Sequence, residues 1–202
     1  DLFSFHEIAP GAPFWHSKGM TVFRELERHA RKVNDENEYQ EISTPILVKK
    51  EVFQKSGHWD FYRDNMFWFT NPRDKKETLV VKPMNCPHHI EIFNRRPLSY
   101  REIPQRYANT TKVYRDEQTG ELNGLSRVRS ITQDDAHVFC RQSQVKEEFI
   151  KIWNVVDEFY KIFGFNLNIE LSFRDLSSPE KYLGTPEMWN RAEAQLEEIA
   201  LD

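Results

Sequence analysis

The chain has 202 residues with 28 Lys and Arg against 32 Asp and Glu, and its net charge of −4 excludes the broad basic field of a general nucleic-acid binder. Any RNA contact is left to a local patch. Hydrophobic residues at 39% and aromatic residues at 13% are enough for one packed domain and too many for a disordered chain. Two cysteines, Cys86 and Cys140, are too few for a disulfide scaffold; with no apolar leader in the sequence they point to a cytoplasmic location, and no apolar run is long enough to span a membrane.

In chain order, the opening stretch places Pro10, Gly11, Pro13 and Gly19 close together, which reads as an ordered loop that lines something. Val22, Phe23, Leu26, Ala30 and Val33 then recur at helical spacing and predict a helix over residues 21 to 34 with one buried stripe. The run "YQEISTPILV" reads as a strand. Pro45 within it donates no ladder hydrogen bond, so an edge, an interface or a bulge is expected. "KKEVFQKSGHWDFY" reads as a helix or loop, and "TLVVKPMNCP" as a strand ending at Pro83.

Residues 105 to 140 read as strand, polar loop, strand, with Gly120 and Gly124 supplying turn-competent backbone. A long antiparallel hairpin is expected. Val145, Phe149, Ile152, Val156, Phe159 and Phe163 predict an amphipathic helix stopped at Gly164. Alternation of Phe165, Leu167, Ile169 and Leu171 predicts a further strand, and Thr185-Pro186 opens a last helix. With no repeat, linker or low-complexity tract, the whole chain, residues 1 to 202, reads as one α+β domain, an antiparallel sheet flanked by helices.

Residues two apart on a strand share a face, so Val113, Arg115 and Glu117 should align, as should Arg127, Arg129, Ile131, Gln133, Asp135 and His137. Such a face is costly to bury against an apolar core and is reasonable where it meets water or a ligand. The guanidinium fork suits phosphate, because it grips two oxygens and keeps its charge. A triphosphate fits; a solvated face of scattered ion pairs is the other reading of the same spacing. Cys86 and His137 are of metal-ligand type but belong to no CxxC or HExxH cluster. His88 and His89 lie beside Cys86, but neighbouring side chains on an extended backbone diverge.

The segments "APGAPFWHSKGMTVFRELE", "KSGHWDFY", "KPMNCPHH", "YRDE", "RVRSITQDDAHVFC" and "GTPEMWNRAEA", in this order, resemble the class II aminoacyl-tRNA synthetases and, within them, the threonyl-tRNA synthetases. That resemblance implies a class II catalytic domain holding motif 1, a dimer-interface element around Asn34 and Pro45, and motif 2, the hairpin. It implies activation of threonine with ATP and magnesium, transfer to the threonine tRNA, and a homodimer. Arg115 would hold the α-phosphate, Glu117 the adenine amino group and Arg127 the phosphates or the tRNA end. Met84, Gln133 and Asp135 would line the amino-acid pocket, and His58 would serve as a proton acceptor near the terminal ribose.

The resemblance further implies one zinc ion bound by Cys86, His137 and a third ligand beyond Asp202, reading the substrate through its amino group and hydroxyl. Motif 3, the third ligand, the anticodon-binding domain and the editing domain have no counterpart in the sequence, so the fold is expected to be incomplete at the C-terminus. Three residues depart from the family pattern: His88 where a glycine is usual, Asn123 in the hairpin loop, and Ser130 where a glycine is usual. A synthetase-like relative that binds tRNA, a nucleotide or a partner without forming an adenylate is the alternative, as is a dimerisation module.

Overall fold

The computed structural model describes residues 1–201 and divides into two compact units, residues 1–139 and the remainder from Cys140 onward. In the first unit, β1 (Phe3–Ser4) pairs antiparallel with β2 (Phe14–Trp15), and the chain enters α1 (Ser17–Glu36). α1 begins four residues before the predicted start. Gly19 explains why the helix can begin there, since a Cβ at that position would lie 1.9 Å from the Leu2 carbonyl oxygen. Ala30 and Val33 are buried as expected and Phe23 packs on Trp15, whereas Val22 and Leu26 are exposed, so the apolar stripe is only partly covered.

The segment around Pro45 does not form one strand. It splits into β3 (Gln40–Glu41) and β4 (Leu47–Lys49), which join different sheets. Proline without an N–H breaks the ladder between them, and the chain uses the break to change sheets. β4 is followed by two short helices, α2 (Glu51–Lys55) and α3 (His58–Tyr62), then β5 (Trp68–Thr70) and β6 (Thr78–Val81). β4, β6 and β5 form an antiparallel sheet over a core of Phe53, Met66 and Val80, with Trp59 and Met84 packed against it.

The strand predicted to end at Pro83 forms as β6, two residues shorter, and α4 (Cys86–Phe93) follows where Cys86, His88 and His89 read as extended backbone. Pro87 in the first turn accounts for this, because its fixed φ and missing N–H suit a helix start. The expected hairpin then forms from β7 (Gln105–Tyr114) and β8 (Ser130–Phe139), in a register that sets Asn109 opposite Asp135 and Tyr107 opposite His137. β3 adds to β7 in parallel, a departure from an all-antiparallel sheet.

The two faces of this hairpin are covered differently. On one, Asn34 of α1 donates to both oxygens of Asp134 at 3.1 and 3.0 Å, and Thr110 adds a third bond at 2.9 Å. On the other, Phe93 of α4 stacks on Phe139 with centroids 4.2 Å apart, and Tyr107 packs beside them. The hairpin is therefore the middle layer between α1 and α4.

In the second unit, α5 (Val145–Lys161) ends near Gly164, whose φ of +68° is the left-handed stop expected from sequence. α6 (Pro186–Leu201) lies beside it, with Lys146 and Glu198 3.0 Å apart. The strand predicted over residues 165 to 171 does not form: the segment is irregular, and Phe165 and Ile169 are exposed. A strand needs a ladder partner, and among the described residues none is present. Arg174 instead anchors this region, donating to the Pro186 carbonyl and to Asn190.

Candidate active site

The face of the hairpin turned toward α4 carries Gln133, Asp135 and His137 on β8, so the predicted alternation holds over residues 130 to 139. It does not extend to Arg115, Glu117, Arg127 and Arg129, which lie beyond the ends of the strands, although Arg115 N still donates to the Arg129 carbonyl at 3.0 Å. In its middle the polar face, whose Gln133, Asp135 and His137 are half-buried, backs onto a second, buried polar layer of Thr44, Lys82, Asn85 and His89.

That layer is assembled by hydrogen bonds. Lys82, inaccessible to solvent, donates to the Thr44 hydroxyl at 2.9 Å and to the Thr111 hydroxyl at 3.2 Å, with the Thr44 carbonyl at 3.4 Å. Asn109 donates to the same Thr44 hydroxyl at 3.1 Å. Asn85, also inaccessible, donates to Asp135 Oδ2 at 2.9 Å. Burial lowers the Lys82 pKa, and the Asp135 carboxylate opposes that shift.

The two imidazoles of His89 and His137 meet through their Nδ1 atoms at 2.9 Å. One ring donates and the other accepts. His89 is pushed down to about 4, chiefly by burial and then by His137, and His88, edge-on to Phe53, is pushed down to about 4 by burial and by Lys82. Both are neutral at pH 7. The Cys86 thiol, half-buried at the start of α4, is raised by burial and by Asp135, with its own backbone amide and Arg115 pulling the other way. The helical turn, which the extended reading did not foresee, is what carries His89 from Cys86 to His137. "NCP", a short polar residue two positions before a proline, is the helix-start pattern that locates it.

At the loop end of the hairpin, Arg115 donates through Nε to the Pro83 carbonyl at 3.3 Å, which ties its guanidinium to the segment leading into α4. Glu117 is buried and accepts from Arg127 Nε at 3.0 Å, while its carbonyl accepts from Arg129 Nε at 2.9 Å. Arg127 also reaches Glu121 at 3.4 Å. The opening loop closes over this end, as its glycine and prolines suggest. Gly11 accepts from Arg129 N at 2.7 Å and faces Leu122, and its φ of +76° requires glycine. Asn123 makes the loop's turn, pairing with Arg127 through the backbone.

Met84 is partly buried and packs against the Phe53 core. His58 begins α3, its Nδ1 2.8 Å from the Ser56 hydroxyl and its ring tilted against Tyr62, and burial lowers its pKa. The structure thus gathers Asn85, Cys86, His89, Asp135, His137 and Arg115 around the start of α4. Glu117 and Arg127 form their pair at the loop.

Residues 67–199 match the tRNA synthetase class II core domain (G, H, P, S and T). The chain belongs to that family. Among curated relatives, it is 50% identical over 192 residues to a threonine–tRNA ligase of Natranaerobius thermophilus and 47% identical over 196 residues to one of Ehrlichia chaffeensis. These alignments cover 95% and 97% of this chain but 29% and 30% of the relatives, so the chain spans less than a third of their length. Of solved structures, the RNA binding domain of threonyl-tRNA synthetase from Cryptosporidium parvum superposes with a TM-score of 0.88 at 36% identity, over 98% of this chain and 48% of that one. ThrRS-1 from Aeropyrum pernix, described as a putative threonyl-tRNA synthetase, gives 0.81 at 30%, over 94% and 42%. A Giardia lamblia prolyl-tRNA synthetase shares the fold, with a TM-score of 0.71 at 19% identity over 79% of this chain and 33% of that one.

Proposed function

We propose that this chain carries the threonine- and ATP-binding part of a threonine–tRNA ligase, which forms threonyl-adenylate from threonine and magnesium-bound ATP and passes the threonyl group to tRNA. The observation that carries the reading is the juxtaposition around α4: a guanidinium tied at Pro83 beside a thiol, a carboxylate and an imidazole, on a chain whose relatives are threonine–tRNA ligases. Arg115 stabilises charge on the α-phosphate as the threonine carboxylate attacks it, a role for a fixed guanidinium preorganised by its Nε bond. Glu117, buried and oriented by Arg127, accepts from the adenine amino group, and Arg127 lies next to the phosphates. Gln133 and Met84 border the amino acid, and Asp135 accepts from its ammonium group.

Zinc fits the donors this chain offers, a cysteine and a histidine. With the His137 Nδ1 engaged by His89, Nε2 is the nitrogen left to bind a metal, and metal-binding histidines are held through their other ring nitrogen in this way. Among the described residues no group of three or more His, Cys, Asp or Glu side chains could hold a metal; Cys86 and His137 would be two ligands of a larger set. Held there, the ion would supply a Lewis-acidic position for the amine and the hydroxyl of threonine together; valine has the amine but no hydroxyl.

His58, neutral at pH 7 and oriented by Ser56, accepts a proton from the tRNA ribose during transfer. The exposed Val22 and Leu26 of α1, with Ile46 and Leu47 after Pro45, support a homodimer through this part of the chain. Among the described residues no helix is long and apolar enough to cross a membrane, and we place the activity in the cytoplasm. ATP–pyrophosphate exchange with zinc and magnesium, comparing threonine, serine and valine, tests the reading. Exchange with threonine and serine but not valine is expected; exchange driven by valine, or by none of the three, overturns it.

A further inference from the structure

Asn85 immediately precedes α4, where a short polar side chain ordinarily accepts a hydrogen bond from the first turn. It makes no such bond. Its amide nitrogen crosses to β8 and donates to Asp135 Oδ2 at 2.9 Å, while its Oδ1, in a residue wholly inaccessible to solvent, has no partner. The side chain thus gives up its local cap and leaves one buried oxygen unsatisfied, both destabilising, and the one bond it makes is to a carboxylate on another element. A residue kept for stability alone would not sit this way.

The surroundings say what the bond does. Asp135 stands opposite Asn109, whose amide is held by Thr44, and it lies in the field of Lys82 and of the Cys86 thiol. Lys82 spends its ammonium on the Thr44 and Thr111 hydroxyls and makes no hydrogen bond to Asp135. The carboxylate is therefore not compensated by a direct ion pair with Lys82. A neutral amide donor is the group that can fix the rotation of a carboxylate without cancelling its charge. With Oδ2 engaged, Oδ1 is the oxygen left to accept from a cation.

We propose that Asn85 is a positioning residue for amino-acid recognition: its amide sets the rotation of Asp135 so that one carboxylate oxygen receives the α-ammonium group of the substrate. This rests on the reading in which Asp135 accepts from the ammonium of threonine. Asn85 touches Asp135 and not the substrate, so the ligands it affects are those that carry an ammonium group.

The test uses Asn85→Leu, which removes the donor and the orphaned oxygen and keeps the branching of the side chain, and Asn85→Asp, which keeps the shape and reverses the donor. In ATP–pyrophosphate exchange, each variant raises KM for threonine at least tenfold and leaves KM for ATP within twofold. The inhibition constant of 3-hydroxybutyrate, which lacks the amine, stays within twofold. Thermal unfolding shows Asn85→Leu no less stable than the parent. Unchanged threonine KM in both variants overturns the proposal, as does an equal loss for threonine, ATP and 3-hydroxybutyrate accompanied by a lower melting temperature. A parent protein that does not bind threonine by calorimetry overturns the underlying reading itself, a result distinct from either.

Discussion

Replacing Thr44 by Val keeps the shape of the side chain and deletes the single oxygen on which two buried donors converge, Lys82 Nζ at 2.9 Å and Asn109 Nδ2 at 3.1 Å. Lys82 keeps only longer contacts, the Thr111 hydroxyl at 3.2 Å and the Thr44 carbonyl at 3.4 Å. A buried neutral donor left unpaired costs about 1 to 2 kcal/mol and a charged one rather more, so Thr44→Val should destabilise by about 3 kcal/mol. Lys82→Met removes the buried charge itself and leaves two hydroxyls that can turn to other acceptors, so its cost should be about 1 kcal/mol. Once the ammonium is gone, Thr44→Val no longer strands a charge. The double variant should therefore cost about 2 kcal/mol instead of the additive 4, a coupling of about 2 kcal/mol. Urea unfolding of the four proteins at one pH measures the cycle. Strict additivity, or a Thr44→Val cost below about 0.5 kcal/mol, would show that the Lys82 ammonium is not held as described.

Arg115→Lys keeps the charge and loses the fork and the Nε bond to Pro83, and threonine-dependent exchange should fall by roughly 100-fold with little change in melting temperature. Because burial lowers the His58 pKa below its ordinary 6.5, the imidazole is already neutral at pH 7; single-turnover transfer from preformed adenylate should be flat above neutrality, fall as pH drops below 6.5, and lose that limb in His58→Ala, while exchange is retained. Stripping metal with a chelator should abolish discrimination against valine, and Cys86→Ser should lower bound zinc measured by atomic absorption; unchanged metal content would remove Cys86 from the ligand set. Gly19→Ala drives a Cβ into the Leu2 carbonyl and must displace β1, which a drop in melting temperature together with loss of hydrogen-exchange protection at His16 would register.

The elements that periodicity located well are those whose burial is decided locally. α1 and α5 repeat at helical spacing, α5 stops near Gly164, α6 opens at Pro186, and the hairpin has two alternating strands around a glycine-bearing loop. What was not legible depends on partners far along the chain. Residues 165 to 171 alternate as well as any strand but have no ladder neighbour among the described residues, and Pro45 marks a change of sheet that no window of ten residues can contain. The site followed the same division. Asp135 and His137 were placed on a common face by alternation, whereas Asn85 and His89 join them only because Pro87 starts a helix where an apolar run had suggested extended chain.

That helix start explains how one short segment can serve both the core and the chemistry. On an extended continuation past Val81, Asn85 and His89 would share a face but stand about 13 Å apart, twice the spacing of Asp135 and His137, so both could not meet their β8 partners. Turning into α4 after Pro83 places Asn85 against Asp135, His89 against His137 and Phe93 against Phe139, successive steps of four residues down one side of the helix. The β8 partners advance by two residues each time, from Asp135 to His137 to Phe139, the period of a strand. Four residues of helix rise about 6 Å and two residues of strand about 6.8 Å, so the two ladders stay in step over the length of the contact. The apolar pair at one end anchors the register that sets the polar pairs at the other. Loss of the Phe93–Phe139 stack should therefore loosen Asp135 and His137 before it disturbs Arg115, which is fixed separately through Pro83. Phe93→Ala should accordingly raise the KM for threonine more than the KM for ATP, and equal rises would refute this account of the register.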